Sequence, residues 1–326
     1  MIMQTEHIRI NPHNPEAERL AKAAGYIYRG ELLAFPTETV YGLGAKADCP
    51  EALQKIFTAK DRPQERPLLV HVRSSDQVRL FAAAVSSQAQ QLMQKFWPGP
   101  LALILPARTD LPKPLLGPGR RVGFRCPANQ AALELLRLTG PLAAPSANLS
   151  GHPSPLTAEH VKADLDGRIA AVLDAGAVEL GLESTVLDLT GTEARILRTG
   201  SLNPAVLAEY MGAVPVVSSA NQPYQLRSRL IISKDHHDFV HKRHSYQQAH
   251  RQFSLVITHS EYDEYKRAED YIWYLPEQQN RLFDLLHQLE QEETGLVLFT
   301  PINWDKDVSP GIKERLARAV TLMTEV

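Results

Sequence analysis

Residues 35–72 read FPTETVYGLGAKADCPEALQKIFTAKDRPQERPLLVHV. Just before them, Glu31 to Phe35 is a short apolar run of strand length, and it enters a Pro-Thr-Glu-Thr turn. Glu51 to Ala59 puts Leu53, Ile56 and Phe57 on one face at helical spacing, and Leu68 to Val72 returns to a strand-like run. Strand, helix and strand in one stretch predict an α/β fold. The stretch also concentrates charge. Lys60, Arg62, Arg66, His71 and Arg73 fall between positions 60 and 73, diluted by Asp61 and Glu65, in a chain of formal net charge −2. A local positive field on a near-neutral protein points to a bound anion, with phosphate the leading candidate. A solvated basic surface is the alternative. Against it, Lys60-Asp61-Arg62-Pro63 leaves a helix directly and leads into a buried-type strand, where cations line a cleft.

Outward from this stretch, the same alternation continues. Asn14-Pro15 predicts a helix start and Gly25 its end. Ser86 to Phe96 reads as a helix stopped by Trp97-Pro98-Gly99-Pro100. Leu101 to Leu105 and Arg121 to Phe124 read as strands, Ala131 to Leu138 as a helix, Leu142 to Ala144 as a short strand, and Thr157 to Leu165 as a helix. Ile169 to Leu173, Thr185 to Leu189 and Arg195 to Leu197 are further strands, and Asn203-Pro204 caps one more helix. Several strands follow one another without a helix between them, so the sheet is expected to be twisted and of mixed direction. Ser218 to Arg229 is polar and aperiodic and reads as a linker. Beyond it, Phe253 to Thr258, Tyr271 to Leu275 and Gly295 to Phe299 look like strands. Arg281 to Gln291 looks helical, and Ser309-Pro310 caps a last helix through Val320. The expected layout is a first domain over 1–217, a linker over 218–229 and a smaller α/β domain over 230–326.

Composition narrows the function classes. The chain has 326 residues, 44% hydrophobic and 22% charged, within the ordinary globular range. No run approaches the roughly 20 apolar residues of a membrane span. MIMQTEHIRINPHNPEAERL has no apolar signal core, so a cytoplasmic protein is expected. Cys49 and Cys126 are the only cysteines, which excludes a disulfide framework and a four-cysteine zinc site and fits a reducing compartment. The near-neutral balance argues against a dedicated coat for nucleic acid and leaves transient RNA contact open.

Other motifs carry weaker signals. Pro145-Ser146-Ala147-Asn148-Leu149-Ser150-Gly151 follows a strand end, where α/β sheets bind ligands; a Ser/Asn turn is the alternative. Alternation sends Arg121 and Arg125 to the same side of their strand, as an anion clamp or as salt bridges of an edge strand. Ser184 enters one strand and Arg198 leaves the next, offering a donor and a phosphate partner. The histidines at 236, 237, 241, 244, 250 and 259 lack a firm ligand spacing and read as a polar surface. There is no G-x-x-x-x-G-K-[ST] loop, no G-x-S-x-G and no H-E-x-x-H. A nucleotide would have to be held by side chains where a P-loop uses backbone.

PTETVYGLG, KDRP with the following PLLVHV, FWPGPL, GFRCP, APSANLSGHPSP, ESTVLDLTG and ILRTG stand in the order found in YrdC-type threonylcarbamoyl-AMP synthases. The chain resembles that family over roughly residues 14 to 212, and its two-domain layout resembles the longer members. The resemblance implies a YrdC-like twisted mixed sheet with a concave basic groove, plus the smaller C-terminal domain. It implies L-threonylcarbamoyl-AMP synthesis from L-threonine, bicarbonate and ATP with release of pyrophosphate, a nucleotidyl transfer serving tRNA threonylcarbamoyladenosine. Mg2+ is implied with the ATP, and tRNA, double-stranded RNA or tRNA-modifying proteins are implied as partners. By resemblance, Lys60, Arg62 and Arg66 meet the nucleotide phosphates, with Lys60 and Arg62 central to catalysis. Ser146, Asn148, Ser154 and Arg198 hold the rest of the nucleotide. Thr39, His71, Arg125 and Ser184 hold threonine, with Thr37 nearby.

Some positions depart from the family pattern. Ala102 stands where Thr is common, and Asn129 where His is common. The linker lacks a Pro-Gly-x-Lys-Tyr-x-His-Tyr-like signature, for which Tyr224 is the candidate substitute. Rival readings are a non-catalytic RNA-binding protein using the same groove, a carbamoyl transferase of the hydrogenase-maturation type, and a second domain serving only as a partner surface. Two cysteines are too few for the zinc-finger modules of the carbamoyl transferases.

Overall fold

The computed structural model describes residues 4–213, 215–217, 224–226, 228–249, 253–257, 265, 272–274, 282–291, 295–302 and 308–320. Two compact units are present: Met1–Ser150 with Ser154–Ala220, and Gly151–Pro153 with Asn221–Val326.

The first unit is built on an 11-stranded mixed sheet. Its strands in chain order are β1 (Glu6–Arg9), β2 (Leu33–Phe35), β3 (Gly42–Lys46), β4 (Leu69–His71), β5 (Leu101–Pro106), β6 (Arg121–Arg125), β7 (Leu142–Ala143), β8 (Ala171–Asp174), β9 (Thr185–Asp188), β10 (Arg195–Arg198) and β11 (Val216–Val217). Across the sheet the order is β1-β8-β2-β3-β7-β4-β6-β5-β9-β10-β11. The pleat explains its two-sided burial. Leu33 and Phe35 of β2 join Ala171 and Leu173 of β8 in one apolar cluster, while Ala34 and Val172 join the other. Helices α1 (Ala17–Tyr28) and α4 (Gln130–Thr139) cover the first cluster through Leu20, Ala23, Ala24, Ile27, Leu135 and Leu136. Helices α2 (Pro50–Lys60), α3 (Ser87–Phe96) and α5 (Ala158–Leu165) cover the second, through Leu53, Ile56, Phe57, Leu92, Met93, Val161 and Leu165. Each such Leu, Ile or Phe contributes about 1.5–3 kcal/mol by leaving water.

Local chemistry sets the ends of these helices. Ser86, Asn129 and Thr157 each accept a hydrogen bond from the backbone N–H three residues on and cap α3, α4 and α5. Asn129 therefore has a structural task. Asn203 does the same for α6 (Pro204–Met211), accepting from Ala205 N. The expected bounds of α1 are corrected. It starts at Ala17 and runs through Gly25 to Tyr28. The stripe Leu20, Ala23, Ala24, Ile27 continues past Gly25, and the turn comes at Gly30, whose φ of 69° suits glycine. The edge-strand position of Arg121 and Arg125 is corrected: their strand is internal, between β4 and β5. Arg121 pairs with Asp188, and Arg125 stands 2.7 Å from Glu38 with its Nε and Nη2 lacking an aligned hydrogen bond.

The second unit is a parallel four-stranded sheet, ordered β12-β15-β13-β14, from β12 (Arg229–Ile232), β13 (Ser254–Ile257), β14 (Ile272–Tyr274) and β15 (Leu296–Phe299). Near-continuous apolar runs such as Leu296–Phe299 suit a parallel sheet covered on both faces. Helices α7 (His236–Gln248), α8 (Leu282–Gln291) and α9 (Pro310–Ala319) accompany it, and Phe239, Phe253, Leu255, Ile257, Leu296 and Leu298 form its core. Arg229, expected in the linker, opens β12, whereas 218–223 and 227 lie outside the described residues. Tyr224 packs edge-on against Phe283, with the Arg318 guanidinium 4.2 Å above its ring. His236, His237, His241 and His244 lie on α7; 250 and 259 are outside the described residues. Among the described residues, no group of three or more His, Cys, Asp or Glu is assembled for a metal, and no helix is long and apolar enough to cross a membrane.

Candidate active site

Strand directions bring four candidates to one edge of the sheet. β4 and β6 run parallel, with His71 opposite Arg125 at their C-terminal ends. β5 runs against β6 and parallel to β9, so the start of β9 reaches the same edge; β10 runs back against β9. Ser184 therefore precedes β9 where Arg198 closes β10. The Arg198 guanidinium spans this gap, donating from Nε to Ser184 O and from Nη2 to Ser184 Oγ, both at 3.0 Å. Close approach here needs Gly200, because a Cβ at that position would lie 2.1 Å from Glu183 O. Ser154 joins from another loop, donating to Glu183 Oε1 at 2.8 Å.

Lys60 ends α2 and is buried. Its ammonium donates to Ser146 O at 2.6 Å and to Asn148 O, and Ser150 N donates to Lys60 O at 2.9 Å. The Ser-Ala-Asn loop is thus tied to the end of α2 mainly by its carbonyls. Two of the three N–H bonds of the ammonium are occupied by them. Asn148 Nδ2 donates to Leu149 O at 2.8 Å, and Leu149 N donates to Asp164 Oδ2 at 3.0 Å.

Electrostatics join the basic residues into one cluster. Burial holds the Lys60 ammonium well below its usual range; Arg62 lowers it further, Asp164 partly restores it, and Arg66 adds a smaller repulsion. Burial, followed by Arg66 and Arg198, lowers the Arg62 guanidinium to about 10. Arg62 Nε is buried with no hydrogen-bond partner, and Nη2 makes only a 3.4 Å bond to Pro67 O. Like charges held this close cost free energy until a counter-charge arrives. A polyanion such as a triphosphate supplies that charge.

Beside β4 and β6 lies a second group. Thr37, Glu38 and Thr39 form the turn after β2 and are all buried. The threonine hydroxyls are 2.9 Å apart, and Thr37 Oγ1 donates to Val40 O at 2.7 Å. Glu38 Oε2 lies 2.7 Å from Arg125 Nη2. That distance makes an ion pair, yet neither group meets hydrogen-bond alignment, and Arg125 Nε also lacks a partner. His71 Nδ1 is buried and unpartnered; its ring meets Phe35 edge-on at 5.9 Å. Burial, then the Arg125 charge, pushes His71 down to about 3, so it is neutral at physiological pH.

Every candidate therefore joins one of these connected groups. Sequence reasoning missed Glu38, Asp164, Glu183 and the carbonyls of Ser146 and Asn148. Glu38 had a signal: a lone carboxylate between two threonines in a turn flanked by apolar residues. The carbonyls had none, since every residue has one.

The Sua5/YciO/YrdC family model, described as telomere recombination, matches residues 25–200. The threonylcarbamoyl-AMP synthase of Pyrococcus abyssi is 43% identical over 202 residues, covering 62% of this chain and 59% of that protein. The threonylcarbamoyl-AMP synthase of Bacillus subtilis is 44% identical over 200 residues, covering 61% of this chain and 58% of that protein. The aligned sequence thus spans just under three-fifths of the length of these curated relatives. The crystal structure of P. abyssi Sua5 complexed with L-threonine superposes with a TM-score of 0.85 at 30% identity, covering 98% of this chain and 100% of that one. With the family model matching more than half of its residues, the chain belongs to the Sua5/YciO/YrdC family.

Proposed function

We propose that this protein makes L-threonylcarbamoyl-AMP and pyrophosphate from L-threonine, bicarbonate and ATP, for the threonylcarbamoylation of adenosine in tRNA. The observation that carries the reading is the cluster of Lys60, Arg62, Arg66 and Arg198, in which Arg62 and Arg66 act against Lys60, Arg66 and Arg198 act against Arg62, and Asp164 partly offsets the repulsion at Lys60. The names of the relatives and the threonine complex of P. abyssi Sua5 support it. All proposed roles fall on residues 1–217, taken as the catalytic domain and joined by 218–229 to a second domain at 230–326, in a cytoplasmic protein.

In the proposed reaction the threonine ammonium releases a proton to solvent, and the resulting amine combines with bicarbonate to give a carbamate and water. A carbamate oxygen attacks the α-phosphorus of ATP, and pyrophosphate leaves. Carbamate, carboxylate and triphosphate are all anionic, so the main obstacle is bringing like charges together. Lys60, Arg62, Arg66 and Arg198 lower it by standing in place before the reactants arrive. Ser146, Asn148 and Ser154 complete the nucleotide side, and Thr37, Thr39, His71, Arg125 and Ser184 the threonine side. Mg2+ would enter on the triphosphate oxygens and would offset part of the phosphate charge there.

The test is pyrophosphate release from ATP, with threonine and bicarbonate each supplied or omitted. Release that needs both, with a threonylcarbamoyl adenylate in the products, is the expected result. A folded protein that releases none would overturn the reading.

A further inference from the structure

The group around Glu38 poses a separate question. Glu38 and Arg125 are both 4% exposed. Burying two charges is expensive, and it is recovered only when their remaining donors and acceptors are satisfied. Here Glu38 Oε2 and Arg125 Nη2 stand 2.7 Å apart as an ion pair, yet both Glu38 oxygens, Arg125 Nε and Nη2, and His71 Nδ1 have no aligned hydrogen bond. Unsatisfied buried polar atoms are rare, and several in one place call for a ligand that completes them. Their chemistry specifies it. Arg125 offers N–H donors to a carboxylate. The Glu38 carboxylate offers acceptors to an ammonium. Glu38 and Arg125 cancel in charge and His71 is neutral, so the best fit is a molecule that carries both signs and no net charge. An α-amino acid meets that description.

We propose that Glu38 is the acceptor for the α-amine of the amino-acid substrate, opposite the carboxylate bound by Arg125. This rests on the function proposed above and adds a residue to its amino-acid side. Glu38 then selects amino acids over hydroxy acids and fatty acids of the same shape. Once the amine has become a carbamate, the Glu38 charge opposes the new anion and disfavours its staying in place.

The probe pair is L-threonine and (R)-3-hydroxybutanoate, which keeps the carboxylate and hydroxyl and lacks the amine. Binding of each to the full-length protein is measured by calorimetry, for wild type and for Glu38→Gln. Wild type should bind threonine at least tenfold more tightly than the hydroxy acid. Glu38→Gln should lose roughly tenfold or more for threonine and little for the hydroxy acid, so that the preference collapses. In pyrophosphate release the variant should raise KM for threonine and leave KM for ATP unchanged. A purely structural role would weaken both probes alike and would overturn the proposal. So would equal binding of the two probes by wild type, which needs no variant to fold. Glu38→Asp, which keeps the charge on a shorter arm, should restore part of the preference. Failure of wild type to release pyrophosphate would count against the proposed function. Wild-type turnover with an unchanged threonine KM in Glu38→Gln would count against Glu38 alone.

Discussion

Arg62→Ala separates the catalytic demand on the cationic cluster from the stability of the fold. The fall of the Arg62 guanidinium from its ordinary value to about 10 would amount to about 3 kcal/mol against the charged form if taken whole. The side chain keeps some exposure, and solvent screening reduces this to about 1–2 kcal/mol. The sign follows from proton binding. A base with a lowered folded-state pKa binds fewer protons folded than unfolded between its folded value, here about pH 10, and its higher unfolded value, so its penalty is complete at neutral pH and is relieved only as pH rises through that window. Removing the guanidinium removes the penalty. It also removes a long bond to Pro67 O worth about 0.5–1 kcal/mol, and some packing of the stem. The ligand-free variant should therefore melt within about 3 °C of wild type. Nucleotide binding behaves oppositely. Losing charge-assisted hydrogen bonds to phosphate costs about 1.5–3 kcal/mol, or roughly a 10- to 150-fold fall in kcat/KM for ATP. Pyrophosphate release at saturating threonine, with ATP varied, measures the second quantity, and thermal melting without ligand measures the first. A folded variant with kcat/KM for ATP within about twofold of wild type would refute the reasoning. A ligand-free melt lowered by more than about 6 °C would refute the claim of repulsion.

Three further outcomes follow from particular contacts. Lys60→Ala leaves Ser146 O and Asn148 O without their buried donor, so about 2–4 kcal/mol of stability and at least 100-fold of turnover should be lost; unchanged turnover in a folded variant would exclude a role for Lys60 in the reaction. His71, neutral when folded and titrating near 3, adds stability above its unfolded value of about 6.5 that is lost as pH falls toward 3, so His71→Asn should flatten the dependence of stability on pH by up to about 1.4 kcal/mol per pH unit between about pH 6 and 4; parallel wild-type and variant curves would contradict a neutral, buried imidazole. Gly200→Ala forces a methyl group against Glu183 O and Ser184 C, at 2.1 and 2.4 Å before any shift, so the loop must move and turnover should fall at least tenfold; wild-type kinetics would show that the spacing of Ser184 and Arg198 is not critical.

The helices were legible because their signals are local. Leu53, Ile56 and Phe57 announce α2 at helical spacing, and Ser86, Thr157 and Asn203 mark helix starts by composition. β3 was not legible as a strand, since GLGAK carries glycines where a strand prefers branched or aromatic side chains. The structure supplies the reason: a Cβ at Gly44 would lie 2.9 Å from the Phe35 ring, so the aromatic residue of β2 takes the space of a missing side chain in β3. β1 was missed because Glu6–Arg9 is mostly polar and its partner, β8, lies far along the chain. The site divides in the same way. Which residues are cationic is plain from the sequence. That Arg62 meets Arg198, that Lys60 spends its protons on two carbonyls, and that Arg125 faces Glu38 are consequences of the sheet order.

Charge accounts for the division of the site into two parts. Glu38, Arg125 and neutral His71 sum to zero, whereas Lys60, Arg62, Arg66 and Arg198 gather like charges that Asp164 partly offsets at Lys60. A zwitterion loses little by entering the first group, because each of its charges finds an opposite partner there. A polyanion is favoured by the second, because it removes repulsion already present. On the proposed reaction, the substrate changes class midway: a molecule with no net charge becomes a dianion when its amine is carboxylated. Its new charge is disfavoured beside Glu38 and favoured beside the cations that hold the phosphates. The field of the site therefore biases the carbamate toward the phosphorus it must attack. A base is not needed for that second step, since the carbamate oxygen already carries the negative charge of a nucleophile. This is why cations dominate the site, while His71 is kept neutral by burial and by the Arg125 charge beside it.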